Sequence, residues 1–171
     1  MVIILGIFTN RSKAESALNS LKASGIAETD LSYIYENKDG EVKDAQTGQK
    51  VGEGVVAGVS TGAIIGGIAG LIVANGILPG LGPVLVAGPL AAALGLSAVA
   101  ASAAAGVATG VVAGGFIGAL KNLGVDEKDI QLYEDYVRKG DILVISRDTP
   151  NSTREIFLAQ EAIEIREYTT A

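Results

Sequence analysis

Residues 55–120 read VVAGVSTGAIIGGIAGLIVANGILPGLGPVLVAGPLAAALGLSAVAASAAAGVATGVVAGGFIGAL, 66 positions without one Asp, Glu, Lys or Arg. Glycine recurs at every fourth position near both ends of this stretch, at Gly54, Gly58, Gly62, Gly66 and Gly70 and again at Gly106, Gly110, Gly114 and Gly118. A step of four keeps residues on one face of a helix. Each series therefore predicts a groove without side chains, along which a second helix can pack closely.

We interpret residues 51–122 as a glycine-zipper helical hairpin. Its first arm runs from Val51 to Asn75 and its second from Pro89 to Leu120. Paired glycine and proline interrupt helices, so the tip of the hairpin is predicted at Pro79, Gly80, Gly82 and Pro83. The Gly-Leu-Gly at this tip does not follow a predicted strand, which argues against a phosphate-binding loop.

The composition excludes several classes of function. The formal net charge is −6, and no Lys/Arg cluster offsets it, so nucleic acid is not an expected partner. The chain has no His and no Cys, which removes histidine acid–base catalysis, cysteine nucleophiles, disulfides and zinc sites. We therefore expect a protein that is not an enzyme and has no cofactor, catalytic residue or metal site.

The polar flanks of the hairpin predict the two halves of an α/β domain. Residues 1–50 hold a βαβ unit and a linker, with strands at 2–8 and 31–36 and a helix that begins in a Ser12–Glu15 capping box and stops at Gly25. Residues 123–171 read helix, strand, helix, strand, with strands at 141–146 and 162–168. Together they predict an α+β fold, a ferredoxin-like split βαβ sandwich with one extra helix, interrupted by the helical hairpin.

The same pattern predicts that the protein associates with itself. The first and third strands carry apolar residues on both faces, as expected of strands that are covered on both sides. Two helices on one side of the sheet leave its other side bare. A partner subunit is the simplest cover, so we expect a homo-oligomer.

The polar and aromatic side chains of the domain predict no reactive site. Asp126, Glu127 and Asp129 suit the start of a helix better than a metal site. A solvated, ion-paired helix face is predicted at Glu134, Asp135, Arg138 and Lys139, and an exposed strand face at Glu164 and Arg166. Amphipathic packing, rather than a ligand pocket, is expected for Tyr33, Tyr35, Tyr133, Tyr136 and Tyr168.

Three stretches resemble the bacterial general-stress and low-temperature-induced proteins that carry a glycine-zipper hairpin inside a small α/β domain. They are LPGLGPVLVAGPLAAAL at 78–94, GVATGVVAGGFIGALKNLGV at 106–125, and DEKDIQLYEDYVRKGDILVISR at 126–147. The resemblance implies a stress-linked role and often a location at a membrane. It implies no biochemical activity.

Two environments suit the hairpin. In the first, it inserts into a membrane from the cytoplasmic side, with Lys50 and Lys121 beside its two ends. A bilayer core of about 30 Å accommodates arms of this length, although Phe116 is the only aromatic residue in the stretch. In the second, several hairpins bury one another inside a soluble cytoplasmic particle, which could hold a lipid or another apolar ligand.

Overall fold

The computed structural model describes residues 2–36, 73–78, 81–94, 115–147 and 150–169. The strands are β1 (Val2–Phe8), β2 (Leu31–Glu36), β3 (Val73–Leu78), β4 (Gly82–Ala87), β5 (Ile142–Arg147) and β6 (Glu164–Thr169). The helices are α1 (Arg11–Ala23), α2 (Pro89–Ala93), α3 (Gly115–Asn122), α4 (Glu127–Lys139) and α5 (Pro150–Ala159).

The six strands form one sheet in the order β3-β4-β2-β5-β1-β6, and every neighbouring pair is antiparallel. Leu5 of β1 lies opposite Ile145 of β5 on one side and opposite Arg166 of β6 on the other. The prediction of a mixed α+β fold is confirmed. The predicted strands of the two polar flanks are all present and belong to the same sheet.

One face of the sheet is covered by α1 and α5. Phe8 of β1 meets Phe157 of α5 edge to face, with ring centroids 5.4 Å apart, and Leu18 and Leu21 of α1 complete this apolar layer. Gly6 makes the close approach of α5 possible, because a Cβ there would lie 2.6 Å from the Phe157 ring.

The other face is covered by helices of the same chain. Ile3, Leu5 and Ile7 of β1 belong to a second apolar cluster, to which α2, α3 and α4 contribute residues that include Leu90, Phe116 and Ile130. The expectation that this face is bare, and needs a partner subunit to cover it, is therefore wrong. The extra helix α4 supplies the cover together with α2, from the middle of the uncharged stretch, and α3, from its end.

The structure also differs from the predicted hairpin tip. Residues 73–78 and 82–87 are strands that pair with each other, where the sequence predicted the end of a helix and a loop. The tip is thus a β-hairpin that extends the sheet beyond β2, with Gly82 and Pro83 inside β4. The physical reason is that an uncharged apolar strand can hydrogen-bond to the open edge of β2, which a helix cannot do.

The helix ends follow their predicted residues, with two corrections. Asn10, not Ser12, caps α1: its side-chain oxygen accepts a hydrogen bond of 2.9 Å from the Lys13 amide. Asp126 stands at the start of α4 without a side-chain capping bond. Left-handed glycines follow α1, α3 and α4, at Gly25, Gly124 and Gly140, and the same position after α5 is held by Glu161 at a φ of 58°.

Candidate functional site

Most of the glycine ladder lies outside the described residues. This applies to Gly54, Gly58, Gly62, Gly66, Gly70, Gly106, Gly110 and Gly114, and to Pro79 and Gly80 of the predicted tip. Gly118 is described, and it lies half-buried in α3. The helical arms at 51–72 and 95–114 therefore stay a prediction.

The middle of the uncharged stretch is an integral part of the domain. We call residues 73–78 and 81–94, which comprise β3, β4 and α2, the inserted unit. Its strand β4 pairs with β2 from Tyr33–Ala87 to Glu36–Val84, and Val84, Val86 and Leu90 are almost completely buried. The inserted unit carries no charged residue, so the hydrogen bonds between β4 and β2 and the apolar packing hold it in place.

A close contact between backbones fixes the start of α2. Gly88 has a φ of 75°, and a Cβ at this position would lie 1.9 Å from the carbonyl oxygen of Leu31. The neighbouring Ser32, which is 3% exposed, accepts a hydrogen bond of 3.1 Å from the Leu90 amide. Only glycine combines this backbone conformation with this approach, so Gly88 determines how the inserted unit docks.

The described residues on either side of 95–114 belong to one apolar cluster. Leu90 and Leu94, on the side of α2, belong to the same cluster as Phe116 and Leu120 of α3. The two described parts of the second predicted arm, in α2 and α3, thus belong to one cluster.

A buried polar cluster joins α4 to the edge strand β6. Asp129 is 7% exposed, and its two carboxylate oxygens accept hydrogen bonds from Arg166 Nη1, at 2.6 Å, and from the Tyr168 hydroxyl, at 2.9 Å. The Tyr133 hydroxyl lies 2.9 Å from that of Tyr168 and donates to it, since the Tyr168 proton is directed at Asp129. Arg166 Nε donates to Glu164 over 2.7 Å.

Burial changes the proton affinities in this cluster. It raises the pKa of Tyr168 to about 12, and it raises the pKa of Tyr133 further, because the Tyr133 hydroxyl also donates a hydrogen bond to Tyr168. The pKa of Arg166 is raised chiefly by its hydrogen bond to Glu164. Both tyrosines are therefore neutral at physiological pH, and Asp129 has both oxygens engaged. The cluster is suited to holding β6 against α4 rather than to transferring protons.

Asp129 lies in the first turn of α4, as predicted, but it is buried there. Glu164 and Arg166, predicted on an exposed strand face, are half-buried. A sequence signal for the cluster did exist. Asp129 and Tyr133 are four residues apart on one helical face, and Arg166 and Tyr168 are two apart on one strand face. Their pairing required knowing that β6 lies beside α4, which no local pattern states. The predicted ion-paired face of α4 is confirmed at Arg138, which bonds Asp135 at 3.2 Å and also reaches Glu134.

The described residues contain neither a metal-binding group of acidic side chains nor a helix that could span a membrane. No three acidic side chains there are grouped so that they could hold a metal ion. No helix in the described ranges is both long and apolar enough to cross a membrane.

Comparisons with known proteins add no relative. No family model, no curated protein and no solved structure matches the chain.

Proposed function

We propose that this is a non-enzymatic, stress-related protein that associates with itself and with a membrane through its glycine-rich segments. The observation that carries the proposal is the anchoring of the uncharged stretch. Its described parts are packed on the acidic domain, and most of the two glycine series lies in the adjoining residues 51–72 and 95–114. The α/β domain would then act as a rigid base that presents residues 51–72 and 95–114 from defined points.

We further propose a ferredoxin-like core for this base. The part β6-β1-β5-β2 of the strand order supports it, with α1 linking β1 to β2 and α5 linking β5 to β6 on one face. In a split βαβ unit, two parallel strands have a third strand between them, and both of these connections fit that description. The inserted unit would be an addition to the β2 side of this core.

The anchoring limits how a membrane could be engaged. If residues 95–114 turned back near their middle, each half would have about ten residues. Ten residues in a helix span about 15 Å, half of a bilayer core of about 30 Å. Residues 95–114 would therefore enter one leaflet and return, as interfacial segments do, rather than cross the membrane.

A soluble particle remains the second candidate, and the charge distribution favours it. An acidic chain with a net charge of −6 is repelled by anionic lipid, whereas uncharged segments of several copies can pack together without that penalty. The same glycines would then line contacts between copies, and the shared interior could hold a lipid or another apolar ligand.

Fractionation of cells that express the native chain tests both candidates. Recovery with the membranes through high-salt and alkaline washes supports lipid insertion. A large, uniform particle in detergent-free buffer supports the second candidate, and solvent extraction of that particle would identify any lipid it carries. A monomer that is free of lipid would refute both.

Glycine substitutions test whether the ladder makes the contacts. Gly62→Leu and Gly110→Leu should disrupt the assembly, because leucine fills the groove that close helix packing needs. Gly67→Leu and Ala108→Leu, which lie off the ladder in the same segments, serve as matched controls. An assembly of unchanged size in both ladder variants would contradict the role of the zipper.

A further inference from the structure

Apolar residues specify the alignment of β6 along β1 only weakly. β6 ends the strand order, and among the described strands it pairs with β1 alone. Three of its six residues are charged, and Tyr168 is the only one of the six that is buried. A strand that is polar on both faces slips easily along its neighbour, because the slip exposes little apolar surface. The register of β6 therefore needs another determinant.

The buried carboxylate of Asp129 faces two defined positions of β6. In the observed register, Tyr168 lies opposite Ile3 and Arg166 lies opposite Leu5. Asp129, on α4, accepts a hydrogen bond from each of these two side chains of β6. One position thus supplies a cation and the other a hydroxyl donor. A buried carboxylate that loses such partners is costly, so the chemistry at these two positions matters.

A slip of β6 by one residue, in either direction, brings a second carboxylate to Asp129. Such a slip turns the faces of β6 over, since successive side chains of a strand point to opposite sides. Glu167, which is exposed in the structure, then takes the place of Tyr168 or that of Arg166. Two carboxylates would share one buried site, and the guanidinium of Arg166 would lie on the far side of the sheet.

A slip by two residues keeps the faces of β6 but moves its charges. In one direction Glu164 takes the place of Arg166, and a carboxylate again approaches Asp129. In the other direction Arg166 moves along β1 to the position opposite Ile7, and Asp129 loses its cation. Of these alignments, only the observed one gives Asp129 a cation and no second carboxylate.

We propose that Asp129 sets the register of β6 on β1 by selecting the residues that face it. Single buried polar groups fix the register of other structures in this way, as in coiled coils. Tyr133 assists, because its hydroxyl donates to that of Tyr168 and leaves the Tyr168 proton directed at Asp129. This role belongs to the α/β domain and does not depend on whether the glycine-rich segments bind a membrane or one another.

Disulfide trapping measures the register directly, because the chain has no cysteine of its own. In the observed pair, Thr169→Cys is combined with Val2→Cys, its partner in the structure. In the slipped pair, it is combined with Ile3→Cys, which it faces only after a slip of one residue. Facing Cα atoms of antiparallel strands lie about 4.5–5.5 Å apart, within reach of a disulfide. The initial rates of intramolecular disulfide formation in the two full-length variants compare the two registers.

Two substitutions that each remove a carboxylate should increase the slip. Glu167→Gln and Asp129→Asn are introduced separately into the observed pair and the slipped pair. Each should raise the rate for the slipped pair relative to the observed pair by about tenfold or more, because it abolishes the repulsion between buried carboxylates. Glu155→Gln, which neutralises an exposed carboxylate on α5, is the matched control and should leave the ratio unchanged.

The exposed Glu167 separates this role from simple stabilisation. If Asp129 only stabilised the attachment of β6, Asp129→Asn would speed amide exchange in β6, but Glu167→Gln would leave the ratio of the two rates as it was. An unchanged ratio in Glu167→Gln therefore overturns the proposal, whatever Asp129→Asn does and even if that variant does not fold. An equal increase in Glu155→Gln also overturns it, since any loss of negative charge would then suffice.

Discussion

Replacing Gly88 with alanine tests how the uncharged stretch is held on the domain. The new Cβ would lie 1.9 Å from the carbonyl oxygen of Leu31 and 2.9 Å from Ser32 Oγ, whereas ordinary contacts begin at 3.4 Å. Both close atoms belong to β2. The backbones of β2 and of the turn before α2 must therefore move apart by about 1.5 Å.

The loss in the free energy of unfolding follows from the backbone strain at position 88 and from the apolar contacts that this separation breaks. The left-handed conformation of Gly88 costs alanine about 1–2 kcal/mol. Leu90 and Leu94 are 0% and 1% exposed, and returning each of them to water costs about 1.5–3 kcal/mol. Detachment of α2 thus brings the total to about 4–8 kcal/mol, comparable with the whole stability of many domains.

Amide hydrogen exchange and urea unfolding measure the effect. In Gly88→Ala, the amides of Val86 and Leu90 should lose their protection, while those of Leu5 and Ile145 in the centre of the sheet keep theirs if the domain survives. Gly25→Ala is the matched control, because Gly25 has a φ of 96° but no atom within 4 Å of the new Cβ. If both variants lose about 1–2 kcal/mol, the close approach at Gly88 is not a constraint and the reasoning is refuted.

Three further changes probe other contacts. Gly6→Ala should lower the free energy of unfolding by about 1–3 kcal/mol, because the new methyl group displaces the Phe157 ring. In the double variant with Phe157→Leu, whose side chain is smaller, the cost of Gly6→Ala should be lower in urea unfolding. An unchanged cost would contradict this. Glu161→Gly should raise the midpoint of thermal unfolding, because glycine adopts the left-handed backbone conformation without strain. A lower midpoint would mean that the ion pair between Glu161 and Lys13 contributes more stability than this strain removes. Burial raises the pKa of Tyr168 from 10.0 to about 12, so the stability that its neutral hydroxyl contributes is complete below pH 10 and is lost as the pH rises towards 12. The free energy of unfolding of Tyr168→Phe should therefore depend less on pH over this range. An equal pH dependence in the variant and the native chain would exclude this role.

The polar flanks could be predicted because their structure is determined locally. The bounds of β1 and β2 agree with the predicted strands, and α4 and β5 agree to within one or two residues. Alternating or helical spacing of apolar residues, with glycine one or two residues after α1, α3 and α4, sets these elements without reference to the rest of the chain. The pairing of Asp129 with Arg166, 37 residues away, has no such local signal.

The stretch at 73–87 could not be assigned locally, because a short apolar run is compatible with both a buried strand and a helix. The answer lay elsewhere in the chain, in β2. Leu31, Ser32, Tyr33 and Ile34 are all buried, which is unusual for the last strand of a sheet. A four-stranded sheet would place β2 at an edge, whereas in the structure a further strand lies beside it. β4 supplies that strand from the uncharged stretch. The stretch is therefore not an appendage of a finished domain: part of it completes the sheet, and the glycine-rich segments on either side are connections of that same domain.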